Sequence, residues 1–370
     1  MKKKFLIVLL FAIAKVGAQT PTFSAIDSLF EKGRYQLALK ELDKIETPSF
    51  LSNYKTAVIY ESIDNYAKTA LFLEKALGFK EDEKASLKLA KAYQRIKKTN
   101  KSIKIYEDLL VKDANNLVLA YQLGKLYLFK KQSKKAVNIF KNLIKQDPLN
   151  ANYSYRLGLS YAQLNARDPM IDSFIDTYVK DSTHLKAIAH LASSFQKLKD
   201  KDSTQLFVSK GLQLDKNHIN LNKLKINQLY RDKKYVESIP FLLHLDTIIK
   251  KDTYSMSMLG RVYYNLDSLD TAKKYFKKLS KLDRENYKAQ TYLGHISMKE
   301  DNYKIATFYY RMATVLGKEK RDEEYFGLAT ALLNIEKPKE AIFNFEKAWR
   351  ENINNYKALY QLAKISDDYY

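Results

Sequence analysis

Five histidines are the residues best suited to proton transfer or metal binding in this chain, and their placement favours neither. His184, His190, His218, His244 and His295 form no His-Glu-x-x-His arrangement, and His184 and His190, six residues apart, fall on different faces of a helix. Each reads as an exposed or partly packed side chain. The sequence has no cysteine, so zinc would need histidines and carboxylates gathered from distant segments, and neither a disulfide nor a thiol-linked lipid is available. Asp172 and Asp176, four apart, share a helix face and could chelate a cation, but that spacing is ordinary on a solvated surface. Gly-rich phosphate loops and a Gly-x-Ser-x-Gly nucleophile turn are missing. Glu81-Asp82-Glu83 fits the acidic start of a helix, where the helix dipole favours negative charge, and Lys97-Lys98 fits a solvated turn. The inventory points to binding rather than catalysis, with no cofactor and no metal.

The elements that carry these residues are helices. The 370 residues include only 10 Gly and 6 Pro against 46% hydrophobic residues, too few breakers for a sheet-rich protein with many tight turns. Aromatic content is 28 Tyr and 18 Phe with a single Trp, Trp349; a tyrosine buries its ring and keeps its hydroxyl wet, which suits half-exposed helices. Leu89, Leu123, Leu157 and Leu191 are each 34 residues apart, and after a skip at Lys225 the spacing resumes at Leu259 and Leu293. A small residue follows each of these leucines (Ala90, Gly124, Gly158, Ala192, Gly260, Gly294), and four residues after most of them comes an aromatic, as at Tyr93, Tyr127, Tyr161, Phe195 and Tyr263. Ala136, Ala272 and Ala306 lie thirteen residues after their leucines, with Phe140, Phe276 and Tyr310 four further on. Each block therefore holds two amphipathic helices. A helical Gly costs about 1 kcal/mol relative to Ala, so the repeated glycines imply close helix approach as the offset. Asp64-Asn65-Tyr66 and Asp301-Asn302-Tyr303 place turn residues between paired helices, and Asp168-Pro169 reads as an N-cap followed by a first-turn proline. No Gly/Ser-rich or Pro-rich linker interrupts the blocks, so one solenoid is preferred to two domains.

The block from Leu123, with Gly124, Tyr127, Ala136, Phe140 and Pro148 in register, resembles the tetratricopeptide repeat (TPR). Other blocks keep fewer signature residues: Met170 stands where Ala is usual, Lys225 lies in a block without the Leu and Gly, and the family's Trp near each start is absent. Looser or shifted packing is expected around Lys225. The resemblance implies an all-α, right-handed superhelical solenoid of about ten stacked helix-turn-helix repeats, running from residue 22 to residue 370, the last reduced to one helix bearing Leu362 and Ala363. It also implies a groove, lined by the first helix of each pair, that holds an extended or helical peptide. The implied groove positions lie five and two residues before each register leucine and two and five after it. In the first half they include Lys84, Lys91, Tyr121, Lys125 and Tyr155. Further on they include Lys186, Gln196, Tyr254, Arg261, Tyr264, Lys288 and His295. Such a groove suits an acidic or mixed acidic and apolar segment, with exposed tyrosines as anchors. The family's carboxylate-clamp variant, which combines Lys and Asn, is not matched: Lys125 and Leu159 occupy the places expected for Asn.

The net charge of +22 would suggest nucleic acid as a partner, but the first residues argue otherwise. Lys2, Lys3 and Lys4, then the apolar stretch from Phe5 to Ala14, then Val16-Gly17-Ala18 read as a signal peptide over residues 1–18. The alternative is a retained N-terminal anchor helix. Removal of the segment takes four lysines and leaves +18. No later apolar run approaches the roughly 20 residues that span a bilayer. The expectation is an exported protein, periplasmic, outer-membrane-associated or secreted, acting as a non-catalytic protein-binding scaffold. Binding of anionic glycan or lipid surfaces at the cell envelope is the alternative, and nucleic acid ranks below both.

Overall fold

The computed structural model describes residues 19–317 and 320–369. The expected signal segment, residues 1–18, lies outside them. Among the described residues the chain forms 21 helices and no strand. The chain divides into two compact units, one ending at Ser182 and one beginning at Thr183, each described by itself below.

The first unit contains five helix pairs: α1 (Gln19–Glu31) and α2 (Tyr35–Asp43), α3 (Phe50–Ser62) and α4 (Tyr66–Leu77), α5 (Glu83–Arg95) and α6 (Thr99–Lys112), α7 (Leu117–Phe129) and α8 (Ser133–Gln146), α9 (Ala151–Gln163) and α10 (Arg167–Lys180). The second contains five more and a final single helix: α11 (Leu185–Lys197) and α12 (Lys201–Leu214), α13 (Ile219–Arg231) and α14 (Tyr235–Ile248), α15 (Thr253–Asn265) and α16 (Leu269–Leu282), α17 (Tyr287–Lys299) and α18 (Tyr303–Leu316), α19 (Asp322–Asn334) and α20 (Pro338–Glu351), then α21 (Tyr356–Tyr369).

Within every pair the first helix ends in the same way. A residue in the left-handed conformation follows it, at Gly33, Asp64, Lys97, Lys131 and Asn165 in the first unit and at Lys199, Lys233, Asp267, Asp301 and Glu336 in the second. The next residue's N–H then donates back across the last turn, as from Gln132 to the Tyr127 carbonyl (2.8 Å) and from Ser268 to Tyr263 (2.9 Å). This is the Schellman ending, for which glycine is the unstrained residue. Only Gly33 supplies one; the other nine positions carry the cost of a side chain at positive φ, about 1–2 kcal/mol each. Lys131→Gly should therefore raise stability by about 0.5 kcal/mol or more, after the extra freedom of an unfolded glycine is subtracted. An unchanged or lowered thermal midpoint would contradict that account.

First helices start on a second recurrent device. Asn116 and Asn150 in the first unit, and His184, His218, Asp252 and Asn286 in the second, fall on a 34-residue spacing and accept from backbone N–H groups of the first turn. His184 Nδ1 accepts from Ala187 (3.2 Å) and His218 Nδ1 from Leu221 (3.3 Å), so two of the five histidines are helix caps. Asp82 likewise caps α5, its Oδ1 accepting from the Ala85 N–H at 2.8 Å. Asp168 does not cap: the cap position of α10 is Ala166, and Asp168 sits in the first turn, its carboxylate 3.1 Å from Arg167 Nε. The helix begins two residues earlier than the Asp-Pro pair suggested because its start is set by the turn at Asn165.

The seam inside each pair explains the glycines. The residue after each register leucine is paired with one sixteen positions on, and wherever the first is Gly the second is a ring. Gly124 faces Phe140, Gly158 faces Phe174, Gly260 faces Phe276 and Gly294 faces Tyr310; a Cβ at any of them would lie 2.7–2.8 Å from the facing ring. Where the first residue is Ala the second is Leu73, Tyr106, Val208 or Phe345, and where it is Ile, at Ile26 and Ile226, the second is Leu42 or Leu242. All of these partners are buried, and a buried Phe contributes about 1.5–3 kcal/mol. Around Lys225 the expected shift has this cause. Ile226 and Leu242 fill the seam between them, and α13 and α14 approach less closely than the glycine pairs do.

Candidate functional site

In the first unit, α5, α7 and α9 enclose an open hollow of about 910 Å³. Its apolar floor is Leu126, Leu128, Leu159 and Ala162, with Phe129 at the rim, 75% exposed. Four cations stand around it: Lys97, Lys125, Lys130 and Arg156. Among the described residues no carboxylate lines it. Gln94, Gln122 and Gln163 supply amides, Gln163 being held by a donation to the Leu128 carbonyl (3.2 Å) and by Ser133 Oγ donating to its Oε1 (2.7 Å). Tyr121 holds two of the cations in place. Arg156 Nε donates to its hydroxyl (3.4 Å), and Lys125 Nζ lies 5.5 Å from the ring centroid.

Of the groove residues expected in this unit, Lys125 lines the hollow and Tyr121 supports it from the side, half-buried against Phe140 and Tyr153. Lys84 and Lys91 are exposed on α5 but do not line it. Tyr155 corrects the expectation of an exposed anchor: it is 8% exposed, with its ring 5.8 Å from Phe174. The cause is the seam, since Gly158 lets α10 come close enough for Phe174 to cover Tyr155. Of the residues lining the hollow, only Lys125 was among those expected; Arg156, Phe129, Gln122 and Gln163 lie off the expected spacing, whereas Gln94, Leu128, Leu159 and Ala162 lie two or five after a register leucine but were not singled out.

The second unit brings other expected residues together. Arg261 lays its guanidinium 4.8 Å from the Tyr230 ring centroid, Tyr264 meets Tyr292 edge to face at 5.5 Å, and Lys299 Nζ stands 4.7 Å from the Tyr264 centroid. His295 joins this cluster through Nδ1 to the Tyr310 hydroxyl (2.7 Å) and reaches Glu323 through Nε2 (3.1 Å). That contact holds the Glu323 carboxyl below its ordinary pKa. Tyr254 is half-buried, donating from its hydroxyl to Asn227 Oδ1 (2.9 Å), and burial raises its pKa. Gln196 borders a smaller hollow of about 240 Å³, while Lys186 and Lys288 are exposed. The two expected tyrosines of this unit, Tyr254 and Tyr264, thus have partners within it. Among the described residues no three His, Asp or Glu side chains gather closely enough to hold a metal ion, and no helix is long and apolar enough to cross a membrane.

Comparison with known proteins agrees with this geometry. The tetratricopeptide repeat family matches residues 84–116, 121–167 and 254–286, which include the α5–α6 and α15–α16 pairs and the segment around α8. The curated proteins give no match. Among solved structures, the C-terminal part of a TPR repeat-containing protein from Cytophaga hutchinsonii is 14% identical at a TM-score of 0.53, with 65% of this chain and 98% of that one covered. Pseudomonas aeruginosa pilF is 20% identical at a TM-score of 0.49, with 58% of this chain and 97% of that one covered. Three segments of the chain thus match the tetratricopeptide repeat, and its ten helix pairs on one plan, with a fold shared with the Cytophaga protein, make it an all-α repeat solenoid.

Proposed function

We propose that this protein is an exported, non-catalytic scaffold that holds an acidic, partly apolar peptide segment of a partner protein against α5, α7 and α9. The observation that carries the reading is the hollow with four cations around an apolar floor and no acid among its lining residues. Carboxylates of an extended segment would meet Lys97, Lys125, Lys130 and Arg156, while its apolar side chains would rest on Leu126, Leu128 and Leu159 beside Phe129. Tyr121 enters as a positioning residue for Lys125 and Arg156 rather than as an anchor. Export rests on the Lys-rich start, the apolar stretch and the small residues before Gln19.

The test is an array of fluorescent peptides of about ten residues in which Asp or Glu alternates with Leu or Phe, read by polarisation against the wild type and Lys125→Glu with Arg156→Glu. Reversal of two charges that face the ligand should weaken binding by about tenfold or more, and raised salt should narrow the gap. Equal affinities for the two proteins would remove the hollow as the site. The mass of the chain recovered from cells should correspond to a start at Gln19; a chain beginning at Met1 would overturn the export part alone.

A further inference from the structure

The second helices of the second unit carry a surface that the peptide hollow does not use. On α16, Lys274, Lys277, Lys278 and Lys281 are exposed around a shallow hollow of about 350 Å³, in which Asp270 is the one carboxylate among the described residues. One repeat later the corresponding positions are apolar. Phe308, Met312 and Val315 on α18 stand 34 residues after Lys274, Lys278 and Lys281, and Ile305 extends them into a stripe along one helix face. Phe308 is 58% and Val315 79% exposed. On α20, Phe343 falls 35 residues after Phe308, is 56% exposed, and has Lys347 Nζ 4.3 Å from its ring centroid. Tyr309 packs on the core shared by α16 and α17, and Arg311 donates to Glu340 at 2.8 Å, so α18 is fixed between α16 and α20.

We propose that this outward face of α16, α18 and α20 docks on an anionic lipid bilayer, the lysines on headgroup phosphates and Phe308, Met312, Val315 and Phe343 in the acyl boundary. Charge complementarity selects the occupant: a row of exposed ammonium groups borders a row of apolar side chains, the two-part arrangement that anionic membrane surfaces bind. Exposure selects it over a partner helix. A helix-binding site half-encloses its anchors in a groove, whereas Phe308, Val315 and Phe343 are each more than half exposed and no hollow encloses them among those described. The proposal is independent of the peptide hollow, which lies in the other unit.

Co-flotation of the full chain with vesicles tests it, comparing phosphatidylcholine alone with a mixture containing roughly 30% phosphatidylglycerol. Binding should require the anionic lipid and weaken as salt rises. Lys274→Glu with Lys278→Glu and Lys281→Glu should cut the bound fraction by about tenfold or more, and Phe308→Ser with Val315→Ser should do the same, while Lys125→Glu with Arg156→Glu should bind as the wild type. Every protein is compared as the chain recovered from cells, so that residues 1–18, proposed to be removed on export, are in the same state in each variant. A local probe covers any variant that loses its helical signal. Phe308→Trp in a Trp349→Phe background should show a blue-shifted emission on anionic vesicles only. Undiminished binding of the charge-reversed protein, an unshifted emission, or binding to soluble dextran sulfate that survives addition of vesicles would overturn the proposal.

Discussion

Phe276→Ala is expected to destabilise the second unit by about 3–5 kcal/mol, read as a fall in the urea midpoint followed by far-UV circular dichroism. The side chain is 1% exposed, and its ring lies over Gly260 of the facing helix and stacks on Tyr292 at 4.7 Å. Truncation removes the only filling that a Cβ-less position can have, so neither wall can close the void without moving a helix. Phe345→Ala should cost less. Its partner Ala329 already carries a methyl group, which leaves a smaller space to empty. A loss under about 1 kcal/mol at Phe276 would mean that the seam collapses freely and that glycine and ring are not a matched pair.

Gly124→Ala has an expected sign opposite to that of an ordinary helix. On an exposed helix the change stabilises by about 1 kcal/mol through backbone entropy. Here the added Cβ would sit 2.7 Å from Phe140 Cζ and 3.1 Å from Ile139 Cγ2, in a seam where Phe140 is fully buried. Overpacking of this kind costs about 1–3 kcal/mol. Phe140→Leu in the same chain should recover part of the loss, because Ala57 with Leu73 shows the smaller pair in use. A double-mutant cycle should therefore return a favourable coupling of about 1 kcal/mol or more. Additive effects within about 0.5 kcal/mol would show that the two positions do not sense each other.

The parts of this fold that could be read from the residues are those set by local spacing. Leucines 34 apart, the small residue after each and the aromatic four later were enough to place two helices per block, because side chains at i and i+4 must share a face. The turn at Lys97 and the acidic start at Glu81-Asp82-Glu83 were legible for the same reason. What depended on contact between helices was not. Tyr155 has the spacing of a groove residue, and only the closeness of α10, permitted by Gly158, buries it. Histidines at 184 and 218 looked unremarkable until their 34-residue spacing coincided with Asn116, Asn150 and Asn286 at the starts of other first helices. The hollow was half legible: Lys125 was among the expected residues, whereas Arg156 comes into it one position before the register leucine, from α9. A rule counted along one helix does not report which of its neighbours is near.

The size-matched pairs also bear on how this chain reaches its native state. Each pair is separated by sixteen residues, so the decisive contact of a repeat closes a loop of one length everywhere, at one entropic cost. Such a contact map is low in contact order, which favours fast folding. The repeats then differ as nuclei mainly in the apolar volume their pair brings together. Those seamed by glycine and a ring are the natural starting points, from which structure spreads to neighbours, and the α13–α14 hairpin with its two branched aliphatic residues should be among the last to order and the first to open.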